Sequence, residues 1–169
     1  DIYPSDANVL NPFGAREFND VIYHKKEFYE NRLDRNEEFP REKGMMTKYQ
    51  KSVIRFLSSH TPYDRLLLVH FMGSGKTCTA IGAIEQIRKE KSTFNGALII
   101  AKGKGVLDNF KKELLEKCTC GQYYPVGYSK LSEEQKVRRV NKNIGEFYDL
   151  QTFRVFAGQI KSMKDSVII

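Results

Sequence analysis

Two apolar runs of strand length, Leu66-Leu67-Leu68-Val69 and Ala97-Leu98-Ile99-Ile100-Ala101, stand out in a chain otherwise patterned at helical spacing. Before the first run, residues 46–59 read as a helix with Tyr49, Val53, Phe56 and Leu57 on one face, closed by the turn Thr61-Pro62-Tyr63-Asp64. Between the runs, 76–90 reads as a helix with Ala80, Ile81, Ile84 and Ile87 inward. After the second run, 106–118 reads as a helix with Phe110, Leu114 and Leu115 apolar. A short strand is expected within 123–128. Then 132–143 reads as a charged, solvated helix, capped by Ser132 with Gln135 three residues on. Glu146-Phe147-Tyr148 is a strand candidate, 152–161 a helix with Phe153, Phe156 and Ile160 inward, and 166–169 the start of another apolar strand.

Residues 1–44 are irregular and polar, broken by Pro4, Pro12, Gly14, Pro40 and Gly44. A helix over 17–32, with Phe18, Ile22 and Tyr29 among its apolar residues, makes this an arm packed on the domain. Residues 31–43 are mostly charged and polar, a composition compatible with disorder. Alternating strands and helices over 45–169 predict an α/β domain, a parallel sheet with helices on both faces. Its ligands belong at the carboxyl ends of the strands, where 73–77 and 102–105 both fall.

The first run leads through Met72-Gly73-Ser74-Gly75-Lys76-Thr77-Cys78 into a helix. That order sets the amides of 73–77 at a helix N-terminus, facing a phosphate. Lys76 would reach the β- and γ-phosphates, and the Thr77 hydroxyl would ligate Mg²⁺. The residues from Met72 to Cys78 are therefore the candidate cradle for a nucleotide. The pattern departs from G-x-x-x-x-G-K-[ST] at its first position, which is His70. Cys78, in the first helical turn, also reads as a packing residue.

With 169 residues, 40% hydrophobic and 29% charged, the chain fits one globular domain with a real core. A formal charge of +7 points to an anionic partner, nucleic acid ahead of an acidic protein, or else to solubility alone. No apolar run approaches the roughly 20 residues of a membrane span, and no secretory signal opens the sequence. Three cysteines, an odd number, point to a reducing compartment, and Cys118-x-Cys120 lacks a metal-site spacing.

Tyr49-Gln50 ahead of a helix, the run from Leu66 to His70 with Gly73-x-Gly75-Lys76-Thr77, and Leu98-Ile99-Ile100 followed by Val106-Leu107-x-Asn109-Phe110 resemble the first motor domain of superfamily 2 helicases, the Swi/Snf-like branch above all. Thr61-Pro62-Tyr63, His70 and Lys76-Thr77-Cys78-x-Ala80-Ile81 are similar to the helicase-like transcription ATPases of large cytoplasmic DNA viruses. That group includes the early transcription factor small subunit and nucleoside triphosphatase I, and in it histidine commonly occupies the His70 position.

The resemblance implies a RecA-like P-loop NTPase domain that uses ATP and Mg²⁺, with Gln50 reading adenine. It implies that Lys102, Gly103 and Lys104 touch a nucleic-acid strand, DNA ahead of RNA, with Thr152 as a later strand contact or a helix N-cap. It further implies RNA polymerase or another transcription factor subunit as partner. The expected location is the virion and the viral factory in the host cytoplasm, or otherwise an intracellular, cytoplasmic or nuclear one. Relatives continue past a strand like 166–169 into an Asp-Glu-x-His-type motif that this sequence lacks, so the chain is expected to be truncated before it. Such a fragment should bind nucleotide and hydrolyse it poorly or not at all. Two other readings compete with the motor: a non-translocating NTP-binding subunit or interaction module of a transcription complex, and a small-molecule kinase whose arginine lid would have to come from Arg138-Arg139.

Overall fold

The structure, a computed structural model, describes residues 12–31, 46–69, 71, 73–90 and 94–167. His70, Met72 and residues 32–45 lie outside the described residues, as do 1–11, 91–93 and 168–169. The backbone forms two compact units, residues 1–91 and 92–169. Among the described residues, no helix is long and apolar enough to cross a membrane.

The first unit contains α1 (Pro12–His24), α2 (Lys26–Tyr29), α3 (Lys48–Phe56) and α4 (Lys76–Glu90). Helix α3 begins in a capping box, in which the Thr47 side chain accepts from the Gln50 amide and the Gln50 side chain accepts from the Thr47 amide. Aromatic rings join the arm to α3. Phe56 stacks on Tyr63 with centroids 4.4 Å apart, while Phe18 meets Tyr63 edge-on at 5.5 Å and Phe28 lies tilted against Phe56 at 6.5 Å.

Helices α3 and α4 close onto each other at Gly82, where an added Cβ would lie 2.6 Å from Ile54 Cδ1. Burial on α4 runs along two stripes, Thr79 with Ala83 and Ile81 with Glu85. The single apolar face predicted through Ala80 is therefore corrected: Ala80 falls between the stripes and is exposed. At the far ends of the two helices, Glu90 accepts from the Ser59 amide at 2.8 Å and from Gln86 Nε2 at 2.6 Å, with His60 Nδ1 at 3.8 Å. Burial pushes the Glu90 carboxyl up, but these donors and the His60 charge outweigh it, and the group titrates below its ordinary range.

The strand predicted at 66–69 is not formed. Residues 63–69 take no regular structure, and Leu67, Val69 and Phe71 are 86%, 80% and 92% exposed. A strand exists only within a ladder, and among the described residues no strand pairs with this run.

In the second unit, β1 (Ala97–Ala101) pairs in parallel with β2 (Tyr148–Thr152), in a register running from Ala97↔Tyr148 to Ala101↔Thr152. Between them lie α5 (Lys104–Glu113), a π-helical turn (Leu114–Cys118), a 3₁₀ turn (Tyr128–Lys130) and α6 (Glu133–Gly145); α7 (Phe153–Val167) follows β2. Leu114 and Ile144 are fully buried, and the Tyr148 ring takes Phe110 and Tyr123 edge-on at 6.0 and 5.9 Å. The capping box predicted for Ser132 and Gln135 starts α6.

Three expectations change here. No strand forms over 123–128, because Cys120, Gly121 and Gly127 at positive φ turn the chain repeatedly and Tyr123 goes into the core. The strand expected at 146–148 begins only at Tyr148, because Glu146 still caps α6. Residues 166–167 continue α7 instead of starting a strand, and on that helix Phe153 and Ile160 are exposed rather than inward. The sheet of the described residues therefore has two strands, with helices packed on it.

Candidate nucleotide-binding site

The turn before α4 needs glycine twice. Gly73 and Gly75 hold φ of +81° and +78°, backbone that side chains with a Cβ rarely adopt. The turn delivers Lys76 and Thr77 into the first turn of α4, both half-buried. Thr79, fully buried, anchors that turn from inside, with its amide and its hydroxyl both donating to the Gly75 carbonyl at 3.0 and 3.1 Å. Lys76 Nζ donates to the Phe71 carbonyl at 2.8 Å, and the Ser74 hydroxyl donates to the same oxygen at 2.8 Å.

Two residues of α3, 25 positions upstream, reach the loop carbonyls. The Tyr49 hydroxyl donates to the Ser74 carbonyl, and Gln50 Nε2 donates to the Gly75 carbonyl at 3.2 Å. An alanine Cβ at position 75 would lie 2.6 Å from Gln50 Nε2, so the glutamine amide would have to shift, on top of the strain at positive φ.

Gln50, expected on a helix surface, is only 6% exposed. Its Oε1 accepts from the Thr47 amide at 2.9 Å and from the Thr47 hydroxyl at 3.2 Å, which takes both lone pairs. One Nε2 hydrogen remains beyond the bond to Gly75. In this arrangement Gln50 can donate to a base but accepts from one only if the Thr47 hydroxyl turns away. Tyr49 and Thr47 were not anticipated as site residues, and the dipeptide Tyr49-Gln50 was the signal for Tyr49. Met72 lies outside the described residues, and Cys78 is half-buried on α4.

The remaining predicted residues belong to the second unit. Parallel pairing sets Ala101 beside Thr152, so the loop at Lys102 and the end of β2 share the carboxyl edge of the sheet. Two helices start there. Gly103 is the N-cap of α5, and Thr152 Oγ1 accepts from the Val155 amide at 3.4 Å at the start of α7. Lys102 and Lys104 are exposed at this edge.

A glycine turn with φ near +80° at Gly73 and Gly75 opens a helix on Lys-Thr, and a Tyr-Gln pair grips the turn. Residues 43–167 match the family described as "Type III restriction enzyme, res subunit", and the chain belongs to this helicase-like family. It is a superfamily 2 motor domain of the kind found in large DNA viruses.

Among its relatives, "Putative helicase 009L" of Frog virus 3 (isolate Goorha) is 38% identical over 71% of this chain. "Putative helicase 087L" of Invertebrate iridescent virus 3 is 33% identical over 96%. "Putative ATP-dependent RNA helicase L377" of Acanthamoeba polyphaga mimivirus is 25% identical over 90%. The chain spans only 13%, 17% and 15% of the lengths of these three proteins. No solved structure matches it.

Proposed function

We propose that the chain is the ATP-binding amino-terminal motor domain of a viral helicase or translocase that acts on DNA during transcription. The observation that carries this is the phosphate loop itself: two glycines at positive φ, Lys76 and Thr77 in the first turn of α4, and Gln50 against the loop. Lys76 neutralises the phosphates, Thr77 is the residue that holds Mg²⁺, and Gln50 donates to adenine. The metal, when bound, neutralises charge developing on the phosphates. ATP hydrolysis is the activity proposed for the helicase to which this domain belongs, in keeping with its helicase-like family.

Nucleic acid is the second ligand of this reading. The second unit carries thirteen Lys and Arg against eight Asp and Glu, a net +5 of the chain's +7. Lys102, Gly103, Lys104 and Thr152 offer charge, bare amides and helix starts to strand phosphates at one sheet edge. The partner proposed is RNA polymerase or another transcription factor subunit, and the place is the virion and the cytoplasm of the infected cell. A role as a non-translocating NTP-binding subunit of the same complex is the alternative.

Calorimetry with Mg·ADP tests the nucleotide role. Lys76→Ala removes a charge-assisted contact worth about 1.5–3 kcal/mol and should weaken binding accordingly. Equal affinities for the two proteins, or binding by neither, would sink it.

A further inference from the structure

We infer that Tyr49 is a positioning residue of the phosphate loop, one that aims the Gly75 amide at a nucleotide phosphate. This rests on the nucleotide reading of the site. A peptide group is planar and trans, so its C=O and N–H point in opposite directions. Fixing the Ser74 carbonyl therefore fixes the Gly75 N–H, and fixing the Gly75 carbonyl fixes the Lys76 N–H.

The first carbonyl is gripped by the Tyr49 hydroxyl and the second by Gln50 Nε2, Thr79 N and Thr79 Oγ1. The Gly75 carbonyl would stay in place without Gln50, because α4 itself supplies two donors. The Ser74 carbonyl lies outside the helix, in a stretch bracketed by two residues at φ of +81° and +78°. Rotation of that peptide is set by ψ of Ser74 and φ of Gly75, a glycine free to turn, and the Tyr49 hydroxyl holds its carbonyl in place. The ring is carried on the first turn of α3, which opens in the capping box between Thr47 and Gln50. Base-side and phosphate-side groups thus come from adjacent residues of one helix turn, Gln50 for adenine and Tyr49 for the loop.

The test is calorimetry on the whole 169-residue chain, with Mg·ADP and with magnesium pyrophosphate, on the parent, Tyr49→Phe and Lys76→Ala. Tyr49→Phe should weaken both ligands by the same factor, about three- to tenfold, since a net hydrogen bond of that size is lost on the phosphate side. Weaker ADP with unchanged pyrophosphate would put Tyr49 on the base side and overturn the inference. Both ligands unchanged while Lys76→Ala loses ADP would overturn it alone and leave the phosphate loop standing. No effect from either substitution would overturn the nucleotide reading as well. The Gly75 amide resonance of the free chain is an independent readout of the Tyr49 contact, while the matched loss of ADP and pyrophosphate is what a merely structural role would not produce. Tyr49→Phe should shift it while the Gly103 and Gly127 resonances stay, and a fixed Gly75 resonance would count against the assignment.

Discussion

Alanine at Gly73 and at Gly75 separates two costs that a glycine-rich turn usually hides. Both positions sit at positive φ, +81° and +78°, where a Cβ costs about 1–2 kcal/mol. At Gly73 a Cβ would meet nothing within 4 Å, so that backbone term is the whole cost. At Gly75 it would lie 2.6 Å from Gln50 Nε2. The end of a glutamine ordinarily swings aside at little cost. Here Thr47 holds Oε1 twice and the Gly75 carbonyl holds Nε2, so the amide cannot move without giving up a bond. That adds about 0.5–1.5 kcal/mol, taking Gly75→Ala to about 1.5–3.5 against about 1–2 kcal/mol for Gly73→Ala. A double variant, Gly75→Ala with Gln50→Ala, should cost less than the two single changes together, because the bond they share is lost once. Urea unfolding followed by circular dichroism measures the parent and the four variants, Gln50→Ala among them. Equal losses at the two glycines, or strict additivity in the cycle, would refute the claim that Gln50 is locked against the loop.

Two further outcomes are expected. Glu90 titrates below its ordinary range, so its contribution is complete above about pH 4.3 and fades as pH falls through the folded-state value. Glu90→Gln should therefore be less stable than the parent at pH 7 and equal to it in strong acid; a stability gap independent of pH would contradict this. For nucleic acid, replacing Lys102 and Lys104 by alanine should lower the slope of log affinity against log salt on single-stranded DNA by about 1.4, two contacts at about 0.7 each. Fluorescence anisotropy over a salt series reads it, single-stranded RNA run alongside decides between the two nucleic acids, and an unchanged slope removes this loop from the interface.

Where the sequence carried its own punctuation, the elements could be read closely. The glycine turn before Lys76 and the charged end at Glu90 bounded α4, and Gly96 with Lys102-Gly103 bounded β1. The Ser132 and Gln135 box marked the start of α6 because its hydrogen bonds are local. What could not be read depends on partners distant in sequence. Leu66 to Val69 has strand composition, but a ladder needs a neighbour, and composition does not say whether one is there. Tyr123 to Tyr128 has strand-like residues, overridden by Gly121 and Gly127 at positive φ. Gln50 looks like a solvent residue on a helical wheel, and its burial follows from the capping bond on one side and a loop 25 positions away on the other. Phe153 and Ile160 keep helical apolar spacing, yet spacing cannot say what covers them, and both are exposed.

The apolar run at 66–71, with Leu67, Val69 and Phe71 exposed, also governs how the free chain would behave at high concentration. Leu-Leu-Leu-Val-His-Phe has no proline, no glycine and no Asp, Glu, Lys or Arg, which is the make-up of segments that stack into cross-β fibrils. Leu67, Val69 and Phe71 stand in water, so the run offers apolar residues on which a second copy can add. Charge stands guard only at the near end, where Asp64 and Arg65 precede the run. A lysine placed at Leu67 would make the protein easier to concentrate. It would also break the apolar stretch that leads directly into the proposed nucleotide loop, so colloidal behaviour and that site pull the same residues in opposite directions.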